Sequence, residues 1–186
     1  MAGRTPTEAV EEFLLRLRAS AGTITKAQLV TSRRGKDPHG SHSVTFGPPS
    51  NVGPLATLDD RPRLHLQLAH YYTVVETDDP ERGPWKVHTT GYLYSLVDAE
   101  GDELLNFHWH PDGQSPYKEP HVQIGSGVCP STWYPKIGRA HIPSPRTSLE
   151  QVIRIALDAF EVQPLRPNWE QILQRNHDAF MTWKTR

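Results

Sequence analysis

Cysteine is nearly absent from this chain of 186 residues: Cys129 is the only one. A single thiol excludes an intramolecular disulfide and any cysteine-rich zinc site. Long apolar runs are missing too, and none approaches the roughly 20 residues that a bilayer-spanning helix needs. The first residues form an amphipathic, charge-bearing segment and not the apolar core of a signal peptide. A cytoplasmic location with no membrane partner is therefore the expectation. Charge of one sign is also lacking, since 20 Lys and Arg stand against 21 Asp and Glu and the formal net charge is −1. The overall field does not single out nucleic acid as a partner. Acid is missing locally, however. No Asp or Glu lies between Glu119 and Glu150, while Lys136, Arg139 and Arg146 do. The stretch from Lys26 to Lys36, with Arg33 and Arg34, is basic as well. Such segments attract anions such as phosphate, although a solvated surface has the same composition.

What is present suffices for a packed core. Hydrophobic residues make up 36% of the chain, including five Trp, six Tyr and five Phe, so global disorder is excluded. Seventeen Pro and thirteen Gly predict long irregular segments between regular elements. The length suits one domain, residues 1–186.

A helix is predicted from Pro6 to Arg18. Thr5 is placed to cap it, Glu8 has capping-box spacing, and Val10, Phe13, Leu14 and Leu17 form one apolar stripe. Residues 23–63 break the pattern and read as a long irregular arm or loop, with one short strand over Ser43 to Phe46. Residues 64–125 read as the sheet, a β-meander of about four antiparallel strands. These are Leu64 to Thr77, Trp85 to Val97, Glu103 to His110 and Pro120 to Ile124, with a tight turn from Asp98 to Asp102. Residues 147–183 read as a helical C-terminal part. Thr147 and Glu150 have capping-box spacing before the stripe Leu149, Val152, Ile153, Ala156, Leu157 and Phe160. Pro164 and Pro167 precede a last helix capped by Asn168. The predicted class is α+β, a mostly antiparallel sheet with an N-terminal helix and two C-terminal helices.

The chemistry-bearing pattern is histidine. Alternate residues of a strand share a face, so His108 and His110 point one way while Phe107 and Trp109 point into the core. His121 and Gln123 share a face of the next strand. If the two strands are neighbours, these four side chains converge, and His141 can approach from the loop before the helix. Tyr92, Tyr94 and His70 are further candidates for this neighbourhood.

Three readings fit. In the first, His108, His110, His121 and His141 do acid–base work without a metal, since imidazole titrates near pH 6.5. RNA cleavage uses such a pair, with Lys118, Gln123, Lys136 and Arg139 binding the phosphate. In the second, His108, His110 and His121 hold a divalent metal. In the third the polar strand face is simply solvated, and the protein is a non-enzymatic binding module whose long arm and basic loops engage a protein or nucleic-acid partner. The first reading predicts no cofactor.

From Gly91 to Ile155 the order of segments resembles the TumE-type toxins of bacterial toxin–antitoxin systems. An aromatic strand, Gly91-Tyr92-Leu93-Tyr94, is followed by Asn106-Phe107-His108-Trp109-His110 and then by Pro120-His121-Val122. A helix opened by Ser144-Pro145-Arg146-Thr147-Ser148-Leu149-Glu150 closes the stretch. The N-terminal helix and the arm lie outside it. The resemblance implies a small bacterial protein that acts on RNA and is held inactive by an antitoxin-like protein partner.

Overall fold

A computed structural model of the chain describes residues 2–38, 40–48, 52–54, 64–78, 83–113, 115–128, 137 and 140–183. Helix α1, Pro6–Ala21, begins where its sequence signals lie. The Thr5 hydroxyl accepts from the Glu8 N–H at 3.1 Å, and the Glu8 carboxylate reaches back to the Arg4 N–H at 2.8 Å. The helix runs one turn past Arg18 to Gly22, whose N–H donates to the Arg18 carbonyl. Val10, Phe13, Leu14 and Leu17 are buried, as their spacing predicts.

The sheet is larger than the expected four strands. Nine strands are present among the described residues, all antiparallel. Four of them match the meander: β5 (Leu64–Glu76), β6 (Trp85–Asp98), β7 (Glu103–Trp109) and β8 (His121–Ile124). The stretch 23–63, expected as an arm with one strand, supplies β2 (Leu29–Thr31), β3 (His42–Phe46) and β4 (Val52–Pro54). The pairs β1 (Ala2–Gly3) and β9 (Ile142–Pro143) complete it. The order is β2-β3-β5-β6-β7-β8-β9, with β4 added to β5 and β1 to β6. The physical reason for the miscount is length. The added strands β1, β2, β4 and β9 have two or three residues, too few for alternation to show, and each is recruited by the unpaired backbone groups of a neighbour, β6, β3, β5 and β8 respectively.

The turn between β6 and β7 matches its sequence. The Asp98 carboxylate accepts from the N–H groups of Glu100 and Asp102 at 3.1 and 2.8 Å, and Gly101 takes φ +91°. Such a φ is strained for a residue with a Cβ.

Helices α2 (Leu149–Ala159) and α3 (Trp169–Trp183) follow the sheet. The cap of α2 sits one residue later than expected. Ser148, not Thr147, accepts from the Gln151 N–H, and the Gln151 side chain accepts from the Ser148 N–H at 2.9 Å. The pair Thr147 and Glu150 is drawn inward instead. The Thr147 N–H donates to the Tyr92 hydroxyl, and the Glu150 carboxylate accepts from the Ser20 hydroxyl. Helices α1 and α2 pack on one face of the sheet, against Tyr72, Tyr92, Tyr94 and Phe107, and α3 packs on α1 and α2. No helix among the described residues is long and apolar enough to cross a membrane.

Candidate functional site

Strand parity sorts β7 as its sequence predicts. Phe107 and Trp109 are buried against the helices, and His108 and His110 lie half-buried on the opposite face. Strand β8 pairs directly with β7, so that His121 stands opposite His108 and Gln123 opposite Asn106. Strand β9 pairs with β8 and carries His141 to its edge. The imidazoles form a row. Ring centroids are 5.7 Å apart for His110 and His108, 5.4 Å for His108 and His121, and 4.6 Å for His121 and His141. Two tyrosines flank the row. Tyr117 stacks on His141 at 3.7 Å, and Tyr71 lies 6.2 Å from His110.

Hydrogen bonds orient two of the rings. His121 Nδ1 lies 2.9 Å from the Glu119 carbonyl, which only accepts, so the Nδ1–H donates and Nε2 is left as the proton-exchanging nitrogen. The Gln123 amide donates to His141 Nε2 at 3.4 Å. His108 Nε2 is buried without a hydrogen-bond partner among the described residues. Burial lowers the His108 pKa to about 4, helped by the neighbouring His121, His110 and His141. His110 and His141 are lowered too, by burial first and then by His121.

The exposed Lys118 donates its ammonium to the Gly113 carbonyl within its own loop. Lys136 and Arg139 lie outside the described residues. Arg146 is on the opposite side of the sheet, its guanidinium 3.6 Å from the Trp109 ring centre. His70, Tyr92 and Tyr94 also face the helices and not the imidazole row. His70 is fully enclosed, with Nδ1 2.6 Å from the Tyr94 hydroxyl and Nε2 3.0 Å from the Thr89 hydroxyl. The register explains the correction: His70 pairs with Tyr92, which pairs with Trp109, so all three belong to the core-facing set.

Asn106, Tyr71 and Tyr117 join the row's face without having been singled out. Asn106 is legible by parity, two residues before His108, and its amide donates to Glu103 at 2.6 Å. Tyr117 sits in a loop, where nothing in the local pattern signals a stacking partner. Among the described residues no three His, Cys, Asp or Glu side chains are grouped to hold a metal ion. Comparison with known proteins finds no matching family model, no similar curated protein and no similar solved structure.

Proposed function

We propose that the imidazole row is a metal-independent acid–base site acting on RNA phosphodiesters, as in a ribonuclease or a toxin-like protein. The observation that carries this reading is the direct cross-strand pairing of His108 with His121, with His110 next in line on the same face. The reaction is a transesterification. The RNA 2′-hydroxyl gives its proton to a neutral imidazole while its oxygen attacks the adjacent phosphorus. The bond from phosphorus to the 5′-oxygen breaks, and that oxygen takes a proton from an imidazolium. The products are a 2′,3′-cyclic phosphate and a 5′-hydroxyl end, with no co-reactant.

His110 suits the base, because it is half-buried at the outer end of the row and its lowered pKa keeps it neutral. His121 suits the acid. Its Nδ1 proton is committed to the Glu119 carbonyl, so a second proton on Nε2 costs no hydrogen bond. His108 stays neutral near pH 7 and separates the two. Lys118, Lys136 and Arg139 are the cations of the surrounding sequence that would offset the phosphate charge. Tyr117 on His141 and Tyr71 beside His110 offer flat rings for unpaired bases. The toxin-like reading adds a protein partner that covers this face.

The test is incubation of single-stranded RNA with the purified protein in EDTA. The expected product carries a cyclic phosphate, and His110→Ala lowers the rate by about 100-fold or more without changing the circular dichroism spectrum. A His110→Ala protein of full activity overturns the role of that residue. Activity lost in EDTA and restored by a divalent ion transfers the histidines to the metal-binding alternative. The stacked Tyr117 and His141 favour one second reading, a binding module without chemistry, for which RNA is retained on a filter but left intact.

A further inference from the structure

A cavity of about 240 Å³ lies between the sheet and the helices, on the face opposite the imidazole row. Roughly 150 Å³ accommodates a benzene ring, so the space suits one substituted ring. The aromatic side chains of Phe13, Tyr92, Tyr94 and Trp109 are among its walls. Tyr92 and Tyr94 are stacked on each other, with centroids 4.9 Å and ring planes 7° apart.

The polar lining divides by depth. Arg146, Lys86 and His88 are half-buried, whereas His70, Glu150 and Asn176 are buried. The outer group is cationic and close-set. After burial, the positive charges of Lys86 and Arg146 are what depress the His88 pKa. In the inner group, His70 has both nitrogens engaged, and Glu150 accepts from Ser20. Asn176 differs. It is 2% exposed, and its amide nitrogen donates to the Arg16 carbonyl at 3.1 Å and to the Ser20 hydroxyl at 2.8 Å. Its Oδ1 has no partner among the described residues. An unmet buried acceptor is destabilising, and a donor on a ligand relieves that cost.

We propose that this cavity binds a single-ring hydroxylated aromatic carboxylate, its carboxylate toward Lys86 and Arg146, its ring among the aromatic walls, and its hydroxyl donating to Asn176 Oδ1. A ring is selected by the aromatic walls and the size of the cavity, negative charge by the outer cations, and the hydroxyl by the orphaned acceptor. The site is independent of the imidazole row, from which the sheet separates it.

Calorimetric titration of the full chain with 4-hydroxybenzoate, benzoate and phenol tests the assignment. The first probe is expected to bind most tightly. Benzoate, which lacks the donor, and phenol, which lacks the anion, are each expected to bind at least about fivefold more weakly. Lys86→Gln weakens both acids several-fold and leaves phenol unchanged. The His88 imidazole, followed by NMR, shifts to higher pKa when an acid binds and not when phenol does. A His110→Ala, His121→Ala double variant binds all three probes as the parent does, which separates this site from the RNA reading. No detectable binding of 4-hydroxybenzoate at millimolar concentration overturns the proposal. So does equal affinity for the three probes, a comparison on the unaltered protein that stands whether or not Lys86→Gln folds.

Discussion

His70 shows how far burial moves a single side chain. It is packed 5.1 Å from the Phe13 ring, with both nitrogens hydrogen-bonded, and its pKa falls to about 3 because a charged imidazole there would lose its water. The unfolded chain takes up this proton near pH 6.5. Between those values the unfolded state binds more protons than the folded one. The resulting stability is therefore complete above pH 6.5 and is lost as the pH falls toward 3. A shift of this size corresponds to roughly 5 kcal/mol at its limit. We predict that His70→Gln, which keeps a donor and an acceptor but cannot titrate, flattens the pH dependence of urea unfolding across that window. An unchanged slope refutes it. Parity along β7 made His108 and His110 legible as a pair, because alternation is a property of adjacent residues. His70 carries the same kind of signal, since it shares its face of β5 with Leu64, Leu66, Leu68, Tyr72 and Val74. Its enclosure depends on Phe13, from a helix elsewhere in the chain.

At the scale of the element, the start of α2 is the instructive case. Thr147 with Glu150 and Ser148 with Gln151 both have the spacing of a capping box, and the local pattern does not choose between them. The fold chooses, because Glu150 is withdrawn to Ser20 and Thr147 to Tyr92. Ser148 also meets His177 of α3 at 3.0 Å. Ser148→Ala is expected to cost about 1 kcal/mol or somewhat more in chemical denaturation, and a variant as stable as the parent contradicts this capping. The strands divide in the same manner. β5 to β8 were legible nearly residue by residue, since each of the longer three carries several turns of alternation. The short β2, β4 and β9 exist because a neighbour offers them hydrogen bonds. The close approach of β7 and the end of β8 is fitted to glycine: a Cβ on Gly125 would lie 1.8 Å from the Glu103 carbonyl oxygen.

Across the whole molecule, a buried polar chain joins the three helices. Asn176 of α3 donates to Ser20 of α1, and Ser20 donates to Glu150 of α2. Removing one member leaves the others buried with unmet groups. Glu150→Ala is expected to lower stability by about 2–3 kcal/mol, read as a shift of the urea midpoint. A midpoint within experimental error of the parent would show that the helix layer is held by apolar packing alone. The same arrangement gives the protein two dissimilar faces, one lined by imidazoles and one by an aromatic cavity with cations at its outer end.

The chain's own order of residues settled the α+β class, the helix stripes, the long antiparallel strands and the face shared by His108 and His110. Each of these is a repeat over neighbours a few bonds apart. Where the short strands dock, that His121 stands opposite His108, that β9 delivers His141, and that Arg146 belongs to the helix side were decided only in three dimensions. Those outcomes depend on contacts between distant segments, where burial and hydrogen-bond pairing are won jointly and no local period records the result.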